Sequence, residues 1–113
     1  MANEATLNEL RSRLDPEKRV EVGTDRDTYL RHLPRVECRD GFNMSVQAST
    51  THYCTPRDSA GPWTEVEVGF PSERAEPLMP YVEDPNDPTG TVYGYVPIEV
   101  VAEVIDAHGG FAA

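Results

Sequence analysis

The ten prolines are the feature that most restricts how this chain folds. Proline has no backbone N–H to donate and disfavours the helical conformation of the residue before it, so helices are confined to the stretches between prolines. Five prolines lie between residues 71 and 90, and we therefore expect a long, acidic loop there. Pro16, Pro34 and Pro97 set further boundaries, which leave the two ends of the chain as the places for helices.

Apolar spacing predicts one helix at each end. Residues 4–14 place Leu7, Leu10 and Leu14 on one face, and the helix ends at Asp15 and Pro16. A second helix begins at Pro97, where proline is tolerated, and ends at the Gly109-Gly110 pair. Its expected inner face consists of Ile98, Val101, Val104 or Ile105, and His108.

Alternating apolar and polar residues predict strands between the helices. The clearest strands are 42–47, 63–70 and 91–96, and three shorter strands are expected at 20–22, 29–33 and 36–38. A further strand is expected at 50–55, which is rich in β-branched and aromatic residues. Turns are expected at 23–25 and 39–41. The prediction is an α+β fold: one domain, 1–113, with a small, mostly antiparallel sheet of about five strands and a helix at each end.

Charge is distributed unevenly along the chain. The formal net charge is −10; residues 1–40 carry nine acidic and eight basic groups, whereas residues 41–113 carry eleven acidic groups and only Arg57 and Arg74 as bases. Such a chain lacks the cationic face that direct binding to nucleic acid or to anionic lipid requires. Two interpretations of the acidic segment stay open: it maintains solubility, or it binds a basic partner.

The C-terminal helix carries Glu99, Glu103 and Asp106 at a spacing that aligns them on one face, with no Lys or Arg beside them. Further carboxylates extend this candidate acidic surface: Glu65, Glu67, Glu83, Asp84 and Asp87. Repeated carboxylates can imitate a line of phosphates and occupy a basic groove. The alternative is that they form only the solvated face of an amphipathic helix and its surroundings.

Aromatic residues supply candidate anchors for a partner. Trp63, Tyr81, Tyr93 and Tyr95 are the aromatic side chains best suited to binding, and Tyr93 and Tyr95 should project to the same side of the last strand, with Gly94 between them. The alternative role for at least one of them is in the core. His52 beside Tyr53, with Arg57 nearby, suggests a small polar pocket or an ordinary sheet edge.

Little in the sequence points to catalysis or metal binding. A zinc site could be formed by Cys38, His52 and Cys54, with His32 as the fourth ligand, but these residues match no common ligand spacing. The alternatives for the two cysteines are a disulfide bond or two separate buried thiols. No nucleophile elbow, zinc-protease motif or phosphate-binding glycine loop is present. We therefore expect no enzymatic activity, no cofactor, no bound metal and no membrane span.

Four segments of the sequence carry a family resemblance: DGFNMSVQAS, HYCTPRD, GPWTEVEVGFPS and TVYGYVPIEVVAEVIDAHGG. Over roughly residues 36–110 the chain resembles small acidic accessory proteins of tailed phages and prophages. The resemblance implies a protein that acts in the infected cell, in a group that includes inhibitors of host defence such as anti-CRISPR proteins. It implies no catalytic residue.

These observations lead to two functional hypotheses. The first is a phage-encoded, anti-CRISPR-like inhibitor that acts in the host cytoplasm. It binds the basic groove of a host protein or CRISPR effector complex and thereby excludes DNA or RNA from that groove. The second is a non-enzymatic structural or regulatory interaction module, and one form of it is a homodimer that packs through the tyrosine-bearing strand.

Overall fold

The structure is a computed structural model that describes residues 3–22, 28–30, 32–58 and 60–112. Helix α1 (Glu4–Leu14) precedes the described strands in the sequence, and helix α2 (Ile98–Ala107) follows them. The strands are β1 (Val20–Val22), β2 (Thr28–Leu30), β3 (Val36–Glu37), β4 (Asn43–Gln47), β5 (Glu65–Gly69) and β6 (Val92–Pro97), and short 3-10 helices span Pro16–Lys18 and Glu76–Tyr81.

The strands form two antiparallel sheets. β1 and β2 pair with each other, with Val20 opposite Leu30, and the main sheet has the order β3-β4-β5-β6. The α+β class with a helix at each end is confirmed, whereas the main sheet has four strands and not about five. The turn expected at 23–25 lies outside the described residues.

The segment 50–55, predicted as a strand, folds into turns instead. The backbone N–H of His52 donates to the carbonyl of Ser49, and that of Cys54 donates to His52, so these groups bond locally and not to a neighbouring strand. Two contacts with strands remain: Thr55 makes a bridge to Glu65 at the start of β5, and the Tyr53 carbonyl accepts a hydrogen bond from the Tyr95 N–H on β6. Local hydrogen bonds have therefore overridden the strand propensity of the side chains.

Both helices follow the apolar spacing of the sequence. In α1, Leu10 and Leu14 are buried and Leu7 is partly buried, and the Asn3 side chain caps the N-terminus by accepting a 2.8 Å hydrogen bond from the Ala5 backbone. In α2, the buried residues are Ile98, Val101, Ala102, Val104 and Ile105. α2 ends where the Gly110 N–H donates to the Ile105 carbonyl, with Gly110 at a φ of 89°.

The core lies between one face of the main sheet and the two helices. Val66 and Val68 on β5 and Met44 and Val46 on β4 are buried, and they belong to the same apolar cluster as the inner residues of α1 and α2. Because side chains alternate along a strand, the residues between them project from the other face of the sheet. That other face carries Glu65 and Glu67.

Both outer strands of the main sheet are covered. Beside β3, the Ala112 N–H donates to the Glu37 carbonyl at 2.8 Å, and beside β6 the Glu83 N–H donates to the Val92 carbonyl at 3.0 Å. Covered edges leave no free row of backbone groups in the main sheet for pairing with a second chain.

The segment 71–90, predicted as a long loop, is partly helical and packs on the core. Its 3-10 helix Glu76–Tyr81 buries Leu78 completely, and Met79 and Tyr81 pack against the apolar cluster. Pro77 lies at the first positions of this 3-10 helix, where proline is tolerated. The prediction of a loop was based on the prolines of this segment, and it did not allow for a short 3-10 helix.

Candidate partner-binding site

A β-bulge in β6 decides which tyrosines reach the surface. Between the paired residues Val66–Val96 and Val68–Tyr93, β5 contributes one residue and β6 contributes two, Gly94 and Tyr95. Tyr95 adopts a left-handed backbone with a φ of 55°. The extra residue interrupts the alternation of the strand, so Tyr93 is 0% exposed and Tyr95 is 45% exposed. The prediction that both project to one side was wrong.

Tyr93 therefore does not serve as a surface anchor. Its hydroxyl donates to the Pro88 carbonyl at 2.5 Å, which ties the 83–90 segment to the strand. Burial raises the pKa of this hydroxyl. The prediction of Tyr93 as a partner-binding residue is corrected to the core role that the sequence analysis gave as its alternative.

Tyr95 has a different aromatic neighbour, Tyr53, which the sequence analysis did not select as an anchor. The two ring centroids are 6.0 Å apart, Tyr53 is 41% exposed, and the Tyr95 N–H donates to the Tyr53 carbonyl at 3.0 Å. A side chain at Gly94 would place its Cβ 3.3 Å from the Tyr53 Cβ, so glycine lets Tyr53 lie against the strand. Gly94, within an otherwise regular strand, was the signal in the sequence for this bulge and close approach.

A shallow groove of about 310 Å³ opens beside this pair, lined by Tyr53, Tyr81, Glu83, Gly94 and Tyr95. We call it the tyrosine groove. The segment 71–90 contributes Tyr81 and Glu83, the bulge contributes Gly94 and Tyr95, and the turns of 50–55 contribute Tyr53. Three separate parts of the chain therefore meet at one point on the outer face of the sheet.

Glu67 lies next to the tyrosine groove on the neighbouring strand. Its Oε1 accepts a hydrogen bond of 3.4 Å from the Tyr53 N–H. Burial raises the pKa of Glu67, and the hydrogen bond from the Tyr53 N–H opposes this effect; the negative charge of Glu83 raises the pKa further, whereas the positive charges of His32 and Arg57 lower it. The two carboxylates thus repel each other beside the groove.

The predicted carboxylates do not form one continuous surface. Glu65 and Glu67 lie on the outer face of the sheet, and Glu83 lies beside them in the groove; we call these three the sheet-side carboxylates. Glu99 and Glu103 are exposed on α2, which covers the opposite face, and we call them the helix-side carboxylates. Asp84 and Asp87 are exposed in the turn before β6.

Asp106 has an internal role. Its two carboxylate oxygens accept hydrogen bonds from Thr6 Oγ1 at 2.5 Å and from the Asn3 N–H at 2.8 Å. A negative charge is favourable at a helix N-terminus, where backbone N–H groups point outward. Asp106 therefore connects the start of α1 to the end of α2. The sequence spacing placed Asp106 on one face with Glu99 and Glu103, but its role in the structure differs from theirs.

The sheet-side and helix-side carboxylates are five in number, and the charges of His32 and Arg57 act on one of them, Glu67. Within the described part of the chain, none of the five forms an ion pair with Lys, Arg or His. Of the two bases after residue 40, Arg74 pairs with Glu76 at 2.6 Å, whereas the Arg57 guanidinium lies 5.3 Å from the Tyr53 ring centroid and its charge lowers the pKa of Glu67. The five carboxylates are thus not neutralised by ion pairs among the described residues.

The two cysteines are separate, buried thiols. Cys38 and Cys54 are both free, and burial raises the pKa of Cys38 to about 11. Cys54 donates to the Ser49 carbonyl, and the His52 Nδ1 lies 2.6 Å from Ser49 Oγ. Among the residues that the structure describes, no three His, Cys, Asp or Glu side chains are grouped so as to hold a metal ion.

Fold and site together define a small α+β protein with a four-stranded antiparallel sheet, two helices on one face and an acidic, tyrosine-lined groove on the other. No family model, curated protein or solved structure matches this chain. Within the described ranges, none of the helices is long and apolar enough to cross a membrane.

Proposed function

We propose that this protein is a non-enzymatic inhibitor of the kind that phages use against host defence, acting in the host cytoplasm. It binds the basic surface with which a host nucleic-acid-binding protein or CRISPR effector complex holds DNA or RNA. The observation that carries the proposal is the set of carboxylates without ion-pair partners in the described residues, in a segment that has eleven acidic groups and only two Lys or Arg residues.

The proposed mechanism is exclusion without turnover. Carboxylates take the places of phosphates on the basic surface of the partner, and the bulk of the domain blocks the nucleic acid. The sheet-side carboxylates are the better candidates for the centre of the contact, because exposed Tyr53 and Tyr95 lie beside them. Aromatic side chains of this kind frequently contribute most to the affinity of an interface.

The first experiment is a pull-down from an infected host lysate at low and high salt, followed by a nucleic-acid binding assay on the captured complex. We expect a nucleic-acid-binding complex that is captured at low salt, released at high salt, and loses affinity for its DNA or RNA when the protein is added. Capture that is independent of salt would contradict the proposal. So would a captured complex that keeps its full affinity for nucleic acid.

Charge variants locate the surface that acts. Three double variants each remove two negative charges: Glu67→Gln/Glu83→Gln on the sheet side, Glu99→Gln/Glu103→Gln on the helix side, and Glu4→Gln/Glu9→Gln as the control on α1. The sheet-side variant should weaken inhibition about tenfold at low salt. Equal effects of all three variants would show only a dependence on total charge and would reject a defined contact surface.

The second candidate is a structural or regulatory module that forms a homodimer. The exposed Tyr53–Tyr95 pair favours it, because such a pair is suited to packing against its own copy. The contact would be made by the outer face and not by the sheet edges, which the chain itself covers. Light scattering at two protein concentrations separates the two candidates. The homodimer is supported if the protein forms a stable dimer and the Tyr95→Gly substitution dissociates it.

A further inference from the structure

We propose that the tyrosine groove is a binding site for a guanidinium group: it receives one arginine side chain of a basic protein partner against the rings of Tyr53, Tyr81 and Tyr95, with Glu83 as the counter-ion. The inference rests on the proposed function in one respect, since it takes the partner to be a basic protein. It adds the chemistry by which that partner is anchored.

The first argument is the composition of the groove. Three of the five residues that line it are tyrosines, and one of the others is a carboxylate. The face of an aromatic ring attracts cations through its quadrupole, and a desolvated contact of this type contributes more than an exposed one. Tyr53 and Tyr95 are 41% and 45% exposed, so a ligand that covers them also removes apolar surface from water.

The second argument is charge complementarity. Glu83 lines the groove and Glu67 lies beside it, and neither forms an ion pair with a base in the described residues. Burial is the main cause of the raised pKa of Glu67, and the hydrogen bond from the Tyr53 N–H opposes it; the negative charge of Glu83 raises this pKa further, so the two carboxylates repel each other. A bound cation would relieve this repulsion, whereas an acidic or phosphate-bearing ligand would increase it.

The third argument is that the chain itself already places a guanidinium against one of these rings. The Arg57 guanidinium carbon lies 5.3 Å from the centroid of Tyr53, and Arg57 is not among the residues that line the groove. Arginine is planar and weakly hydrated, so it stacks on aromatic rings more readily than the compact ammonium group of lysine. This preference leads us to arginine as the ligand.

The fourth argument is the backbone of Tyr95. A left-handed conformation, at a φ of 55°, is unfavourable for a tyrosine and natural for a glycine. The bulge holds the ring of Tyr95 at the rim of the groove, where a ligand can contact it.

The test is a titration of the ¹⁵N-labelled full chain with a short peptide that contains alternating arginine and glycine, followed by NMR. Matched peptides carry lysine or the neutral isostere citrulline in place of arginine. We expect saturable shifts at the amides of Tyr53, Gly94 and Tyr95, with an affinity for the arginine peptide about two- to fivefold higher than for the lysine peptide. The citrulline peptide should bind weakest.

Two substitutions and one matched control connect the shifts to the groove. Tyr95→Gly removes a ring while suiting the left-handed backbone, and Glu83→Gln removes the counter-ion. Phe70→Gly is the control, because Phe70 is also an exposed aromatic residue, at 49%, with a left-handed φ of 49°, and it does not line the groove. Tyr95→Gly and Glu83→Gln should each weaken binding, and Phe70→Gly should leave it unchanged.

The inference is overturned if citrulline or lysine peptides bind as tightly as the arginine peptide, or if Phe70→Gly weakens binding as much as Tyr95→Gly. The outcome is separable from that of the proposed function. Should the peptide fail to bind while the protein still displaces nucleic acid from its target, the guanidinium site fails and the inhibitor proposal stands. If the peptide binds but the protein does not displace nucleic acid, the guanidinium site stands and the inhibitor proposal fails.

Discussion

At the scale of single residues, two aromatic positions hold conformations that their side chains disfavour. Phe70 and Tyr95 both have a positive φ, and both are exposed. Left-handed backbone places the Cβ of an ordinary residue too close to the carbonyl oxygen that follows it. The fold tolerates this cost at Tyr95 because the bulge is held by pairing on either side, at Tyr93 and Val96.

The cost can be measured by comparing two substitutions. Tyr95→Gly and Tyr95→Ala remove the same ring, but only glycine relieves the left-handed backbone. We expect the glycine variant to exceed the alanine variant in free energy of unfolding by about 1 kcal/mol, determined by urea denaturation. Equal stabilities would mean that the bulge relaxes when the ring is removed and that position 95 carries no backbone strain.

His52 makes stability depend on pH. Burial lowers its pKa from the ordinary value of 6.5, and the positive charges of His32, Arg19 and Arg57 add to the effect. The unfolded chain therefore takes up this proton at a higher pH than the folded protein does, so acidification favours unfolding.

The expected result is a fall in the free energy of unfolding as the pH drops from about 7.5 through the unfolded pKa and on toward the lower folded value. In His52→Asn the fall should be smaller. The measurement is urea denaturation at several pH values for both proteins. A wild-type stability that rises over this range, or an unchanged pH dependence in the variant, would contradict the assignment to His52.

At the scale of elements, the two helices are joined at one carboxylate. Asp106 on α2 accepts hydrogen bonds from Asn3 and Thr6 at the start of α1, although these residues are about a hundred positions apart in sequence. The contact explains how a short helix with a narrow apolar stripe holds its position. Its stability comes from tertiary contacts and not from intrinsic helix propensity.

Asp106→Ala tests this joint. The substitution leaves the Thr6 hydroxyl and the Asn3 N–H without their acceptor, and the free energy of unfolding should fall by about 1–3 kcal/mol. Glu103→Ala, on the exposed side of the same helix, is the control and should change stability by no more than about 0.5 kcal/mol. If the two substitutions cost the same, the joint contributes nothing specific.

At the scale of the whole molecule, the dominant electrostatic feature is the net charge of −10. Like charges that are brought together by folding repel one another, and dissolved salt screens this repulsion. Residues 41–113 carry eleven acidic groups and only two Lys or Arg residues, so the folded protein should gain stability from salt.

We expect the free energy of unfolding to rise by about 0.5–1 kcal/mol when NaCl is increased from about 20 mM to about 300 mM. Glu99→Lys/Glu103→Lys makes the net charge less negative at exposed positions, and should reduce the response. The comparison is made by urea denaturation at both salt concentrations. A loss of stability on adding salt would show that attractive ion pairs outweigh the repulsion.

The features that were predicted correctly depend on neighbours in sequence. Leucine spacing and Pro16 delimit α1, the Gly109-Gly110 pair ends α2, and alternation marks β4 and β5. The error at 50–55 arose because strand propensity does not show that the backbone N–H groups of His52 and Cys54 bond locally and form turns. The error at 71–90 arose because short 3-10 turns tolerate proline better than longer helices do.

The sequence by itself determined the α+β class, the helix at each end and the concentration of negative charge after residue 40, because these follow from composition and from contacts between near neighbours. Only the tertiary structure decided that Tyr93 is buried, that Tyr53 joins Tyr95 at the tyrosine groove, and that Asp106 serves α1. The physical reason is that one extra residue in β6 reverses the direction of every side chain after it. Gly94 indicates an irregularity in β6, but the pairing with β5 decides where the extra residue is inserted.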